Sequence, residues 1–289
     1  MSSQVHYAIC PHNHREIIIM AGRVAGKVAF ITGAGRGQGR SHAIRLAEEG
    51  ADIIAVDILA DYATVGYAMS REPDLAQTAK AVEALDRRIV TAKADVRDPA
   101  ALEAAVEAGV AQLGRLDIVC ANAGICTVQE WNQVSPQVWQ DTLDTNLTGV
   151  WNTFVVTIPH LIASGGGSII ATSSVAGLKG LPFLAPYVAA KFGVTGIVKA
   201  MANELAEHGI RVNSVHPTGV NTPMGSGLGG MEPTIERHPA LGPIFMNTLP
   251  DVQSTEPVDI SNAVLWLASD ESRYVTGLEM RVDAGATIR

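Results

Sequence analysis

A buried strand that runs directly into a glycine-rich turn is the feature that most restricts how this chain can fold. Residues 28–31 are all apolar, the turn at residues 32–39 contains four glycines, and a helical pattern follows as far as Gly50. Main-chain N–H groups of such a turn, and of the helix N-terminus behind it, face an anion, so these parts predict a phosphate-binding cradle. The glycine spacing is T-G-x-x-x-G-x-G rather than G-x-G-x-x-G, and a glycine turn without a ligand is the alternative interpretation.

Strand and helix patterns alternate along the rest of the chain. This alternation predicts a parallel sheet with helices on both faces, that is, an α/β fold. Polar residues stand where four of the strands end, at Asp57, Asp95, Asn122 and Ser174. Ligands of open α/β sheets bind beyond the carboxyl ends of the strands, so these residues are candidates for one site. We predict further strands at residues 52–56, 89–94, 116–120, 168–172, 210–215 and 279–283, and helices at residues 74–87, 99–114, 136–163, 185–208 and 259–269.

Asp57 is a carboxylate at the position where dinucleotide-binding units hold a ribose. It lies twenty residues after Gly37, the spacing expected for a group that binds the adenosine hydroxyls. Its charge would repel a 2′-phosphate, which favours NAD over NADP. Arg36 argues mildly the other way, because an arginine can bind that phosphate. We give Asp57 more weight, although an ordinary turn residue at a strand end is the alternative.

Tyr187 and Lys191 lie one turn apart on the predicted helix at residues 185–208. A phenol has a pKa of about 10 and is a poor base at neutral pH. A fixed ammonium nearby favours the phenolate and lowers that pKa, which would make the tyrosine a general base for an alcohol proton. The hydroxyl of Ser174, arriving from a strand end, could hold the substrate oxygen. An ordinary amphipathic pair with a solvated lysine is the alternative.

Composition excludes several classes of protein. With 289 residues, a formal charge of −8 and 47% hydrophobic residues, the chain is neither disordered nor suited to nonspecific nucleic-acid binding. The three cysteines show no metal-ligand spacing and no even count, which favours a reducing compartment, and we expect a cytoplasmic protein without a metal site. No apolar run approaches the roughly 20 residues that span a membrane.

Three segments depart from the strand–helix pattern. Residues 1–20 do not match the pattern of the later residues, and we expect a poorly ordered extension, with translation able to begin at Met20. Residues 59–72 look like an insertion. Residues 223–254 are rich in Gly, Pro and Met and are predicted to form a substrate lid, because loops of this length are usually functional. The expected apolar wall of the lid consists of Met224, Met231, Leu241, Phe245 and Met246.

Together, the glycine turn, Asn122-Ala-Gly124, Asn146, Ser174, Tyr187 and Lys191 resemble the short-chain dehydrogenase/reductase family over about residues 24–289. The resemblance implies one doubly wound (Rossmann-like) domain, residues 21–289, with a seven-stranded parallel sheet, usually in a homotetramer. It also implies that Tyr187 is the catalytic base, that Lys191 lowers its pKa and binds the nicotinamide ribose, and that Ser174 holds the substrate oxygen. Asn146 would anchor a water in the proton relay.

The same resemblance implies a set of NAD contacts. Asp95 and Val96 would flank the adenine, and Val220 and Thr222 would meet the nicotinamide amide. Residues 217–219 read Pro-Thr-Gly where the family usually has Pro-Gly, which is a departure from the family pattern. The complete predicted set is Gly33, Arg36, Gly37, Gln38, Gly39, Asp57, Ile58, Asp95, Val96, Asn122, Ala123, Gly124, Tyr187, Lys191, Pro217, Val220 and Thr222.

A narrower resemblance is carried by residues 26–42 together with the insertion after Asp57. These features are similar to the actinobacterial carveol-dehydrogenase-like, or mycofactocin-coupled, oxidoreductases. The resemblance implies a tightly held NAD that a separate redox carrier reoxidises, with the insertion as a clasp over the adenosine. We predict oxidation of an apolar secondary alcohol, such as a terpene alcohol, to a ketone. A ketone or steroid reductase and a noncatalytic dinucleotide sensor are the alternatives, and the complete Asn146, Ser174, Tyr187 and Lys191 set favours an enzyme.

Overall fold

The computed structural model describes residues 22–228 and 230–289, so the predicted extension at residues 1–20 lies outside the described residues. Seven strands form one parallel sheet in the order β3-β2-β1-β4-β5-β6-β7. The strand order reverses between β1 and β4, which confirms the predicted doubly wound fold. The strands are β1 (Val28–Thr32), β2 (Asp52–Asp57), β3 (Ile89–Lys93), β4 (Ile118–Ala121), β5 (Gly167–Thr172), β6 (Ile210–Pro217) and β7 (Glu279–Val282). The helices are α1 (Gly37–Glu48), α2 (Glu72–Glu83), α3 (Pro99–Leu113), α4 (Pro136–Leu143), α5 (Gly149–Ala163), α6 (Ala185–Glu204), α7 (Pro223–Gly227), α8 (Met231–Arg237) and α9 (Pro257–Ala268).

The central strands are buried along nearly their whole length because helices cover both faces of the sheet. Every residue of β1 is buried. Phe30 points into a core shared with α3, α5 and α6, whereas Ile31 points into a second core with α1, α2 and α9. Both cores stop at the carboxyl edge of the sheet, where the polar strand-end residues begin.

The long helix predicted at residues 136–163 is wrong as a single helix. Helix α4 ends at Leu143, a π-helical turn runs from Asp144 to Thr148, and α5 begins at Gly149. The wider turn carries Asn146, whose buried side chain bonds the main chain of Ile125. A π-turn adds a residue to the helical repeat, and such turns often occur at functional sites. The helical period of the sequence contains no signal for this local change.

Other element ends shift for local reasons. Helix α2 begins at Glu72 rather than residue 74, because the Asp74 side chain accepts from the Arg71 N–H and caps the helix. Helix α6 stops at Glu204, and a short 3₁₀ turn leads to Gly209, which adopts a left-handed φ of 67°.

The insertion and the predicted lid differ in their secondary structure. Residues 58–71 contain neither helix nor strand, and the insertion therefore ends one residue before the predicted limit. The lid contains α7, α8 and a 3₁₀ turn at Pro239–Phe245. Within the described ranges, no helix has the length and apolar character that crossing a membrane requires.

Candidate active site

The turn between β1 and α1 provides an open cradle of main-chain N–H groups. Gly33 and Gly37 adopt left-handed φ angles of 67° and 55°, which suit glycine. A Cβ at Gly39 would lie 2.1 Å from the Gly33 carbonyl oxygen, so Gly39 allows close packing but lines no cavity. Among the described residues, no side chain caps the N-terminus of α1. Its first-turn amides thus remain available for an anion.

Asp57 fixes the glycine turn to the insertion. Its carboxylate accepts a hydrogen bond from Gly35 N at 2.9 Å and another from the Ser70 hydroxyl. The guanidinium of Arg36 donates to the Ala68 carbonyl, so the insertion also holds the arginine. Asp57 and Arg36, the two charged residues that bear on the choice between NAD and NADP, are therefore both held by the insertion.

A cavity opens beside the glycine turn, and we call it the glycine-turn cavity. Most of the predicted cofactor residues line it. The insertion contributes residues that the prediction did not name, and two tyrosines five residues apart in the insertion were the available signal. The predicted residues that line the cavity are Gly33, Arg36, Gly37, Gln38, Asp57, Ile58, Asp95, Val96, Asn122, Ala123, Gly124 and Thr222. The additional ones include Tyr62, Tyr67, Met69, Ser70, Ala94 and Thr145.

Two tyrosines attach the insertion to the body of the protein. The hydroxyl of Tyr62 accepts from Thr145 at 3.0 Å, and the guanidinium of Arg97 lies 4.5 Å from the Tyr62 ring centroid. The hydroxyl of Tyr67 accepts from Cys126 N at 3.2 Å. Burial raises the pKa of Tyr67 to about 12, so it remains a neutral phenol at physiological pH.

The lid rests directly on the insertion. A Cβ at Gly227 in α7 would lie 2.6 Å from the Cβ of Tyr67, so the helix approaches the tyrosine closely only because residue 227 has no side chain. The insertion, which lines the glycine-turn cavity, and the predicted lid are thus in contact.

Lys191 and Tyr187 meet beyond the end of β5. The ammonium of Lys191 donates to the Thr172 carbonyl at 2.7 Å and lies 5.4 Å from the Tyr187 ring centroid. The Ser173 hydroxyl donates to the Lys191 carbonyl at 3.1 Å. Helix α6 is therefore pinned to the end of β5 at the residue that carries the charge.

Burial dominates the electrostatics of this pair, and the effect of Lys191 on the pKa of Tyr187 stays a prediction. Burial raises the pKa of Tyr187, and the neighbouring Cys126 raises it further, while the nearby Ser174 hydroxyl acts in the opposite direction. Burial also lowers the pKa of Lys191 to about 8. The apolar surroundings thus disfavour both charged forms.

A hydrogen bond within its own turn orients the hydroxyl of Ser174. Its Oγ accepts from Ala176 N at 3.1 Å, and the hydroxyl lies near enough to Tyr187 to lower the pKa of that phenol. Because Oγ accepts from the main chain, its hydrogen is left to donate to an oxygen in the cavity.

The side-chain amide of Asn146 forms hydrogen bonds with main-chain groups. Its Oδ1 accepts from Ile125 N, and its Nδ2 donates to the carbonyls of Ile125 and Thr142. A Cβ at Gly124 would lie 2.6 Å from Oδ1, so this amide supports the loop after β4. Asn146 lines neither of the two cavities.

A second, apolar cavity of about 250 Å³ lies under the predicted lid. Ser174, Tyr187 and Lys191 form part of its wall. Of the predicted lid residues, Met224, Met231 and Phe245 line it, whereas Leu241 and Met246 do not; Met246 is 49% exposed. Other wall residues are Cys126, Val175, Lys179, Leu181, Leu184, Pro217, Val220, Leu228 and Ile244.

The two cavities meet at a shared boundary. Five residues line both, including Gln38 and Asn122, while Pro217 and Val220 line only the apolar cavity. The Oε1 atom of Gln38 is buried and has no hydrogen-bond partner within the described ranges. A polar ligand group at this boundary would provide one. The other shared residues are Gly124, Thr222 and Met224.

Known proteins are similar to this chain in sequence and in fold. A family model described as short chain dehydrogenase matches residues 27–232. The (-)-trans-carveol dehydrogenase of Rhodococcus erythropolis is 49% identical over 276 residues, covering 92% of this chain and 99% of that protein.

Two crystal structures extend the comparison to the fold. A short chain dehydrogenase from Mycobacterium paratuberculosis bound to NAD is 50% identical, with a TM-score of 0.91, covering 93% of this chain and 100% of that chain. Carveol dehydrogenase from Mycobacterium avium in complex with NAD is 52% identical, with a TM-score of 0.87 and the same coverage. The predicted resemblance is confirmed: the chain belongs to the short-chain dehydrogenase family, in its carveol-dehydrogenase-like actinobacterial group.

Proposed function

We propose that this protein oxidises an apolar secondary alcohol to a ketone and passes the hydride to NAD. The observation that carries the proposal is the junction of the two cavities. A phenol, a serine hydroxyl and a lysine ammonium line an apolar cavity that opens into the cavity beside a glycine turn. A substrate oxygen at the phenol could therefore lie next to a dinucleotide held by the turn.

The residues present fit a dinucleotide. The open N-terminus of α1 and the glycine turn suit a diphosphate, and the carboxylate of Asp57 suits a ribose rather than a 2′-phosphate. Gln38 lies where the cofactor would pass from one cavity to the other. The two similar crystal structures were solved with NAD. Bound NAD would supply the hydride acceptor.

In the proposed mechanism the side chains of the apolar cavity handle the proton. Ser174 donates its hydroxyl hydrogen to the substrate oxygen and fixes its position. Tyr187 accepts the alcohol proton as general base. The ammonium of Lys191 stabilises the phenolate, which the apolar surroundings otherwise disfavour. Because Tyr187 would remove the hydroxyl proton as the hydride leaves the carbinol carbon, no free alkoxide would form.

Asn146 contributes indirectly in this proposal. Its side chain fixes the loop after β4, which carries Asn122 and Gly124 along the boundary of the two cavities. Because both amide hydrogens are already donated, we propose that a relay water would be held by the main chain of the π-turn.

The substrate class follows from the cavity wall. Met224, Met231 and Phe245 supply an adaptable apolar surface, which suits a terpene alcohol such as carveol. Reduction of a ketone or a steroid by the same residues is the second reaction to test. A noncatalytic dinucleotide sensor would not require the Ser174, Tyr187 and Lys191 arrangement.

We further propose that residues 59–71 hold NAD in place and that a separate redox carrier, such as mycofactocin, reoxidises it. The support is that Tyr62, Tyr67 and Ser70 line the glycine-turn cavity from one loop. The lid at residues 223–254, a homotetramer and a cytoplasmic location belong to the same proposal. The buried free thiols of Cys120 and Cys126 suit a reducing compartment.

Nicotinamide absorbance with a panel of apolar secondary alcohols, including carveol, tests the proposal. We expect turnover with NAD and little with NADP, or a burst of one equivalent per subunit if the cofactor is retained. Tyr187→Phe removes the proton acceptor while leaving the glycine turn intact, so it should abolish the signal without loss of NAD binding. Full activity in that variant would refute the assignment of the base.

A further inference from the structure

His216 is a buried histidine that the proposed mechanism does not use. It lies near the carboxyl end of β6 and is 0% exposed. Its Nδ1 lies 2.9 Å from the carbonyl oxygen of Ser174, and its Nε2 lies 2.7 Å from the hydroxyl of Ser214. Both ring nitrogens are therefore engaged, one of them with the residue proposed to hold the substrate oxygen.

The partners determine which nitrogen carries the hydrogen. A carbonyl oxygen only accepts, so Nδ1 of His216 donates to Ser174. In a neutral ring Nε2 then accepts from the Ser214 hydroxyl. Burial lowers the pKa of His216 and outweighs the hydrogen bond to Ser174 and the charge of Glu279, which raise it. The ring is thus a neutral imidazole held in one tautomer.

The bond from His216 reaches Ser174 where regular strand pairing has ended. Strand β5 stops at Thr172, and Ser173 N still donates to Val215 O at 2.9 Å. The Ser174 carbonyl also accepts from Gly177 N, and its hydroxyl from Ala176 N.

These last two bonds lie within one short turn, so they fix its shape and not its position on the sheet. Among the described residues, the bond from His216 is the one that ties the carbonyl of Ser174 to a neighbouring strand.

We propose that His216 is a positioning residue for the reaction: its Nδ1–H holds the main chain of Ser174 so that the serine hydroxyl lies at hydrogen-bonding distance from both Tyr187 and the substrate oxygen. The inference rests on the proposed role of Ser174. His216 itself touches neither substrate nor cofactor.

Replacing His216 should impair the chemical step more than cofactor binding. Small displacements of a group that orients substrate can cost up to about 100-fold in rate. We expect His216→Leu to lower kcat by roughly 10- to 100-fold, with the NAD dissociation constant unchanged. His216→Asn should recover most of this loss, because its side-chain amide can take the place of Nδ1–H. Retention of kcat in His216→Leu, or equal losses in both variants, would overturn the inference.

His42 provides a matched control elsewhere in the fold. It is also 0% exposed, and its Nδ1 is 2.8 Å from the hydroxyl of Ser261, between α1 and α9. His42→Leu removes a comparable buried ring and should lower the urea midpoint of unfolding while leaving kcat near the wild-type value. A loss of kcat in His42→Leu as large as that in His216→Leu would mean that kcat reports stability alone, and the inference would fail.

A spectroscopic measurement tests the geometry without turnover. In ¹⁵N-histidine NMR spectra at neutral pH, the signal lost in His216→Asn should show a protonated Nδ1 and an unprotonated Nε2. The opposite tautomer would exclude the bond to Ser174. Absence of turnover in the wild-type protein across the alcohol panel would instead overturn the proposed function, which separates the two failures.

Discussion

His42 is a neutral histidine enclosed between α1 and α9, and its titration bears on stability. Burial lowers its pKa to about 3 from the ordinary 6.5, and its Nε2 lacks a partner within the described part of the chain. Below pH 6.5 the His42 ring is protonated in the unfolded chain but stays neutral in the folded protein. The contribution of His42 to stability is therefore complete above pH 6.5 and is lost as pH falls toward 3.

The expected loss is measurable. From pH 7 to pH 5, His42 should reduce the free energy of unfolding by about 2 kcal/mol. Urea denaturation at both values tests this, with His42→Leu as the comparison. The variant should be less stable at pH 7 but lose about 2 kcal/mol less than wild type on acidification. Equal losses in the two proteins would assign the acid sensitivity to other groups.

Single residues also show how far the sequence determines the site. The one-turn spacing of Tyr187 and Lys191 was sufficient to predict that they meet. The direction of the Tyr187 pKa was not predictable, because it depends on how completely distant segments enclose the ring. The contacts of the Asn146 side chain were not predictable either, because its partner Ile125 lies twenty-one residues away along the chain.

At the level of elements, the insertion supplies part of the wall of the glycine-turn cavity, including Tyr62 and Tyr67. Its two tyrosines are anchored to Thr145 and to Cys126 N, and α7 covers Tyr67. If the insertion retains NAD, Tyr62→Ala and Tyr67→Ala should each accelerate cofactor dissociation about tenfold or more, which corresponds to about 1.4 kcal/mol.

Stopped-flow fluorescence measures this rate when bound NADH is displaced by excess NAD. Ala63→Ser is the matched control, because Ala63 lies in the same segment with an exposed side chain. Dissociation rates equal to wild type in both tyrosine variants would exclude the insertion as the retaining element.

Elements differed in how well the sequence predicted them. The alternation of apolar strands and amphipathic helices was enough to predict the number of strands and their positions along the chain, but not their order in the sheet. The break at Asp144–Thr148 and the two helices of the lid were not predictable. The first depends on a tertiary bond to Ile125, and the second is concealed by the Gly, Pro and Met content of the segment.

On the scale of the whole molecule, apolar side chains remain exposed on neighbouring helices. Trp151, Val155 and Ile162 are 40–46% exposed, and their spacing places them on one face of α5. Phe192 on α6 is exposed to the same degree. Apolar residues at regular spacing on a helix surface are typical of an interface between subunits.

We expect these faces to form contacts in the predicted homotetramer, so native mass spectrometry should detect four chains per particle. Val155→Glu with Phe192→Glu buries two charges at the expected contact and should yield smaller species. Asp251 is an exposed residue of the lid, and Asp251→Asn serves as a control that should keep the wild-type assembly. A monomeric wild-type protein would exclude the tetramer.

The shared boundary of the two cavities has a consequence for inhibitor design. Because Gln38, Asn122 and Thr222 face both spaces, a single linked compound could place a nucleoside-like head in one and a hydrocarbon ring in the other. The second fragment would then bind at a high effective concentration once the first is bound. Two fragments that each bind weakly could in this way become one tight ligand without any change in the protein.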